Sequence, residues 1–199
     1  MATTDYYFIS KWRVLADVEE VVKIIGDAPS LVRWWPAVYL EVTEINPGDD
    51  KGLGKEVSLH TKGWLPYTLN WQLHVTELSP RYGFTFETTG DYVGRGIWTF
   101  EQDLAWVNIT YDWQVQVNKP MLHYFSALLN PIFSADHHWA MAKGEASLNL
   151  ELARRRAKTA ADAAQIPPPP PATTYQPWLV LLGIFALLGL LYRFISRRK

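Results

Sequence analysis

The sequence predicts an α+β fold: a curved antiparallel sheet of about seven strands around one long C-terminal helix, followed by a single transmembrane helix. Three observations predict it. Short runs with two-residue alternation follow one another, separated by turn residues. A single long pattern of apolar or small residues at 3–4 spacing comes after the last of them. Near the C-terminus, Trp178 to Tyr192 is a run of fifteen residues without a charge.

Tyr6 to Leu15 opens the chain as a strand. Tyr6, Phe8, Ser10, Trp12 and Val14 share one face; Tyr7, Ile9, Lys11, Arg13 and Leu15 share the other. Asp17 stands at an N-cap position before Val21, Val22, Ile24 and Ile25, and Gly26 ends that helix. A second short helix, Pro29 to Trp34, runs into Trp34-Trp35-Pro36. Only strands and turns follow up to about residue 118. They are Tyr39 to Ile45, Lys55 to Thr61, Tyr67 to Leu78, Tyr82 to Thr89, Gly94 to Gln102 and Trp106 to Val117. Asn46-Pro47-Gly48-Asp49-Asp50, Ser79-Pro80 and Gly90-Asp91 supply turns between them. Consecutive strands joined this way form an antiparallel meander.

Alternation also predicts the buried face. In 67–75 the odd positions are Tyr67, Leu69, Trp71, Leu73 and Val75, and the even ones are polar. In 107–117 the odd positions are Val107, Ile109, Tyr111, Trp113, Val115 and Val117. Phe84 pairs in phase with Phe86, and Trp98 with Phe100. One face of the sheet is wet and the other is lined with aromatics. The long helix that covers the dry face is expected to start after Pro131, with Met141, Gly144, Leu148 and Leu152 on its inner stripe. Gly144 allows a close approach to a neighbour. A sheet curved around one helix leaves a cavity between them.

Behind this domain (1–156) lies a linker (157–177). Ala157 to Gln165 is Ala-rich and is expected to continue the helix. The five prolines Pro167 to Pro171 must leave it for an extended spacer of about 15 Å. They also match a PxxP ligand for an SH3-like partner, although no basic residue flanks them directly. The next segment, 178–195, spans about 27 Å as a helix, short but workable for a hydrocarbon core of about 30 Å. Trp178 and Tyr192 stand at its ends as interfacial aromatics do, and Arg193 can snorkel. The competing reading, a buried core helix, fits the length but not the proline run before it or the basic tail 196–199 behind it. No signal peptide is recognisable at the N-terminus. The expected arrangement is a cytoplasmic domain on a single-pass C-terminal anchor.

Composition narrows the function. Apolar residues are 48% and aromatics 14%, with 10 Trp, which excludes a disordered chain. With no Cys, disulfides, thiolate nucleophiles and thiolate-held metals are excluded. Residues 1–153 hold 11 Lys and Arg against 19 Asp and Glu, a net −8, whereas 154–177 carry +3 and 178–199 carry +4. So acidic a body is no nucleic-acid binder, while the basic end suits an anionic lipid surface.

Several local patterns, in order, resemble the START-like or SRPBCC superfamily, in particular its polyketide cyclase/dehydrase and lipid-transport group. Trp34-Trp35-Pro36 follows the two short helices. Leu65-Pro66-Tyr67 opens the strand through Trp71. Gly90-Asp91, Gly94, Gly96 and Trp98 form GDxxGxGxW, and His137, Met141 and Gly144 form HxxxMxxG. The resemblance covers roughly residues 5–153. It implies a helix-grip fold with a hydrophobic ligand cavity. It does not imply one chemistry, because that fold serves lipid carriers, receptors, cyclases and coenzyme-Q-binding proteins.

No GxSxG, HExxH, P-loop or dinucleotide fingerprint is present, and the glycines of GDxxGxGxW lie between strands, where they serve a turn and strand curvature. No metal site or cofactor is expected. His60 and His74 fall on exposed or mixed strand faces, and His123 lies between the last strand and the helix. His137 and His138 point about 100° apart and cannot chelate one metal as an i,i+4 pair does. The plain reading of His137 is a hydrogen-bonded histidine at the cavity rim; the functional one is a polar ligand contact or a weak candidate general acid/base. Arg13 and Arg95 read as surface salt-bridge partners. The expected cavity residues are Phe8, Trp12, Trp35, Trp71, Phe84, Phe86, Trp98, Tyr111, Trp113, His137 and Met141. A cavity lined with rigid aromatics suits a flat or polycyclic apolar ligand. The expected function is therefore a membrane-tethered module that binds or transfers a lipid, isoprenoid quinone or polyketide-like molecule. The rivals are a cyclase or dehydratase on such a substrate, and an accessory subunit of a membrane complex.

Overall fold

A computed structural model describes residues 5–79, 82–117, 126–174 and 183. The expected membrane segment 178–195, apart from Gly183, lies outside the described residues, as does His123. Among the described residues no helix is long and apolar enough to cross a membrane.

The strands are β1 (Asp5–Leu15), β2 (Tyr39–Asn46), β3 (Glu56–Lys62), β4 (Thr68–Ser79), β5 (Gly83–Gly90), β6 (Tyr92–Asp103) and β7 (Trp106–Val117). The helices are α1 (Val18–Gly26), α2 (Leu31–Trp34), which follows a short 3-10 turn at Ala28–Ser30, α3 (Ser126–Arg156) and α4 (Ala160–Gln165). All seven strands join one antiparallel sheet in the order β1-β7-β6-β5-β4-β3-β2. The meander is thus closed by β1 on its far edge, with Trp12 opposite Ile109 and Phe8 opposite Trp113.

The alternation is realised as faces. Along β7, Val107, Ile109, Tyr111, Trp113 and Val115 are all buried, and the residues between them are not. Along β1 the buried set is Ser10, Trp12 and Val14. Arg13 sits on the outer face, where it pairs with Asp103 at 2.9 Å. Gly96 is the inward residue opposite Phe86; a Cβ there would stand 2.3 Å from the Phe86 ring. The glycine therefore makes room for an aromatic of the neighbouring strand. At the start of α1, Asp17 has extended backbone, and its N–H donates to Glu20 Oε2 at 3.3 Å.

Three boundaries differ from the sequence expectation. The long helix does not wait for Pro131: α3 begins at Ser126 and carries Pro131 inside it. Proline so near a helix start removes one hydrogen bond, a small loss for a helix of 31 residues whose later turns pack on the sheet. Nor does α3 continue through Ala157. It stops at Arg156, whose guanidinium binds Leu15 O at 2.9 Å and Glu20 Oε1 at 3.0 Å. A new helix restarts at Ala160 because Thr159 caps it, accepting from Asp162 N at 3.1 Å. Finally, the proline run is not a spacer that stands away from the domain. Arg154 holds the carbonyl of Pro167, Lys62 holds the carbonyl of Thr173, and Thr173 Oγ1 donates to Gly63 O at 3.2 Å. None of these partners is local, so no pattern within the linker announces them.

Candidate functional site

Among the described residues two cavities share the interior, the first between the sheet and α3, the second between the sheet and the two short helices. The first, about 100 Å³, lies towards the β3–β4 turn. The second, about 170 Å³, lies towards α1 and the β2–β3 loop. Trp35, Tyr39, Trp71, Trp98 and Tyr111 line both, and so form the wall between them. Trp98 and Tyr111 stack at 4.2 Å between ring centres, and Trp35 meets Tyr39 edge-on at 5.2 Å. Such aromatic pairs, stacked or edge-on, are each worth about 0.5–1.5 kcal/mol beyond the area they bury.

The structure places the expected residues as follows. Phe8, Trp113, His137 and Met141 line the first cavity only. Phe84 and Phe86 line the second only. Trp35, Trp71, Trp98 and Tyr111 belong to the wall. Trp12 lines neither. It is packed into the solid core against Trp35 at 5.4 Å and Trp98 at 5.5 Å, beneath Gly144. Sequence reasoning missed Tyr6, Tyr39, Tyr92, Phe133 and Asp136 in the first cavity and Trp34 in the second. Tyr6 shares the phase of Phe8, and Tyr92 the phase of Trp98, so the signal was present for both. His60 is half-buried on the outer face of β3, and His74 and His138 are exposed.

His137 Nε2 lies 3.0 Å from Ser10 Oγ, and its ring stacks on Phe8 at 4.2 Å. Burial, and secondarily His138, push its pKa down to about 4. The imidazole is neutral at pH 7. Its NMR resonances are expected to stay unchanged from pH 8 to 5.5 and to move only as pH approaches about 4. Titration near the ordinary 6.5 would show a solvated ring instead. Because the folded value is depressed, protonation of the unfolded chain below about 6.5 makes this group draw stability away as pH falls.

Asp136 is buried beside it but forms no dyad with it. Its Oδ1 accepts from Trp64 N at 2.7 Å and Leu65 N at 3.3 Å, clamping the β3–β4 turn to α3. Burial raises its pKa, against the lowering effect of those two N–H groups. Burial likewise pushes the phenols of Tyr39, Tyr92 and Tyr111 well up, so they remain O–H donors. Trp71 Nε1 donates to Thr61 Oγ1 at 2.9 Å. By contrast, the indole N–H groups of Trp34 and Trp35 are buried without a hydrogen-bond partner. An unmet buried donor costs about 1–3 kcal/mol, and a ligand acceptor or a water would relieve it. The second cavity contains no Asp, Glu or His in its lining, whereas Lys51 and Lys55 are part of it. Its polar groups are thus mainly donors. Among the described residues no three His, Asp or Glu side chains gather as a metal site.

A curved seven-stranded sheet wrapped on one long helix, with an aromatic interior, is a helix-grip fold of the START-like kind. Solved structures agree. The chain is similar to the Zhui aromatase/cyclase from Streptomyces sp. R1128, with TM-score 0.63 and 15% identity over 79% of this chain and 99% of that one. It is similar to a protein from Thermus thermophilus, with TM-score 0.62 and 11% identity over 76% of this chain and 100% of that one. It is also similar to norcoclaurine synthase from Thalictrum flavum in complex with dopamine and hydroxybenzaldehyde, with TM-score 0.51 and 13% identity over 78% and 91%. Identity this low shows a shared fold and nothing finer. No protein-family model matches the sequence. No curated protein matches it.

Proposed function

We propose that this chain is a membrane-tethered holder or carrier of a flat, apolar small molecule that bears a hydrogen-bond acceptor such as a carbonyl. The observation that carries the reading is the divided aromatic interior in which two buried indole donors, those of Trp34 and Trp35, lack partners. Size narrows the ligand. An apolar cavity of about 150 Å³ takes a benzene ring, so the second chamber, at about 170 Å³, accepts a ring-sized group, the first, at about 100 Å³, is smaller than that, and neither takes a whole phospholipid with the wall in place. A quinone or polyketide-like ring fits this better than a diacyl lipid. The structural neighbours, an aromatase/cyclase and a synthase holding two small aromatics, support it by analogy of fold. The apolar segment 178–195 supports the tether: it would keep the domain, on the cytoplasmic side, close to the phase in which such ligands dissolve.

The test is native mass spectrometry of the full chain in lipid nanodiscs, with organic extraction of any bound mass. A stoichiometric apolar adduct carrying a carbonyl is the expected result. A chain that arrives empty and also takes up no added naphthoquinone would sink the reading. In the same assay Trp71→Ala is expected to reduce retention by opening the wall, Trp113→Ala to reduce it by removing an aromatic from the lining of the first cavity, and His137→Ala to leave it nearly unchanged. One observation favours a second reading, a cyclase or dehydratase: the neutral His137 imidazole stands in the first cavity, able to accept a proton. That reading reverses the emphasis, because His137→Ala would abolish turnover while binding persists.

A further inference from the structure

The two chambers differ in what their walls leave unmet. In the first, Asp136 is engaged by Trp64 and Leu65, and His137 by Ser10. Trp71, on the wall, spends its N–H on Thr61. The second is lined by Trp34 and Trp35, whose buried N–H groups have no partner. It is also the chamber with room for a benzene ring.

Two stretches of the second chamber's lining reach solvent. One is the β4–β5 hairpin, where Leu78 is exposed and Phe84 half-buried. Large side chains fill that stretch, and a Cβ on Gly83 would stand 2.6 Å from Trp98 O. The other lies between the end of α1 and the β2–β3 loop. There Lys51 is exposed, and Gly26, Gly52 and Lys55 are half-buried. Gly26 separates the two cases. Its φ is not positive, so the backbone does not demand glycine. A Cβ on it would meet nothing within 4 Å. Neither conformation nor crowding calls for a missing side chain, and the space beside it is open. Across that space Lys55 Nζ donates to Gly26 O at 3.1 Å and faces Glu44 Oε2 at 3.4 Å. An ammonium has three N–H donors, so one remains for a ligand oxygen.

We propose that the ligand's ring enters the second chamber between Gly26 and the β2–β3 loop, and that the Lys55 ammonium receives an oxygen acceptor carried by the ring. The inference rests on the ring-binding reading above and adds to it the chamber, the entrance and the recognising group. Ketone and carboxylate oxygens share the required chemistry, and the choice of probes tells them apart.

The full chain, with its tryptophans labelled with nitrogen-15, is titrated in lipid nanodiscs with toluene, acetophenone and benzoate. The Trp34 indole resonance reports the second chamber and that of Trp113 the first. Acetophenone or benzoate is expected to shift Trp34, to leave Trp113 in place and to bind several-fold more tightly than toluene. Lys55→Met should erase that preference, and Lys55→Arg should keep most of it. A lysine that only braced the loop would weaken all three probes alike. Gly26→Leu grows a side chain into the open space. It should weaken every probe several-fold with the melting temperature unchanged or raised. If the probes shift Trp113 and leave Trp34 unmoved, or Gly26→Leu takes them up as the parent does, the entrance is wrong and the ring-binding reading stands. If Lys55→Met keeps the preference over toluene, Lys55 is not the recognising group. Probes that shift neither resonance overturn both the inference and the reading it rests on.

Discussion

Replacing Arg33 and Arg155 together by Ala is expected to lower the unfolding free energy by about 3–5 kcal/mol at pH 7, the cost of an uncompensated buried charge. The charge is Glu151, on the inner side of α3, whose side chain is 1% exposed. Arg33 grips it with both terminal nitrogens, each at 2.7 Å, and Arg155 Nε adds a third bond at 2.7 Å. Burial pushes the Glu151 carboxyl up, and the two guanidinium groups outweigh it, so its pKa lies below the ordinary 4.5. Either arginine alone should cost less, since the other still pairs with the carboxylate and Arg33 is itself half in water. The pH dependence discriminates. In the native chain this depressed carboxyl contributes stability above about pH 4.5, lost as pH falls through its folded value. Without its arginines the buried carboxyl would be raised instead, and the variant would lose less, or gain, on acidification. The two stability curves should therefore converge towards low pH in chemical denaturation. Adding Glu151→Leu to the double variant should recover much of the loss, as an apolar replacement of a buried ion does. If the double variant is as stable as the parent at pH 7, α3 is not held to α2 by this site.

Gly144→Leu is expected to be as damaging, at about 3 kcal/mol or more, through overpacking. A Cβ at this position would stand 2.3 Å from the Trp35 ring and 2.7 Å from Trp12. Leucine is a better helix former than glycine by up to about 1 kcal/mol, so any loss reports the collision and not the helix. Neither indole can yield. Trp12 is wedged between Trp35 and Trp98, and Trp35 meets both Trp34 and Tyr39. The displacement must pass into Trp35, which belongs to the wall between the chambers. Ligand retention should therefore fall together with melting temperature. A variant that keeps its stability but loses retention would show that the wall moves more easily than the core.

Much of the fold was legible because a strand writes its faces into the sequence at period two. The inward residues of β1 and β7 could be named, and most of the named aromatics do face a cavity. Phase tells which face a residue takes, not what lies above it. Trp12 has the right phase and the wrong position: α3 crosses it at Gly144, and the space is filled. Tyr39 gave the least warning, since it is only the first residue of β2, half-buried and pointed at the seam between two chambers. Trp34 was visible in the Trp34-Trp35-Pro36 run, yet nothing local shows that its N–H would end without a partner.

The number of strands, their succession along the chain and their facing, the acidic body with its basic end and the uncharged run near the C-terminus all follow from the sequence alone, because each is set by neighbours a few residues apart. Tertiary structure alone decided the division of the cavity, the burial of Glu151 under Arg33, and the fastening of the linker to the β3–β4 turn. These join residues more than a hundred positions apart: Ser10 to His137, Arg33 to Glu151, Gly63 to Thr173. Such partners meet only when α3 has come to lie in one place across a sheet of one curvature, and no local periodicity encodes that position.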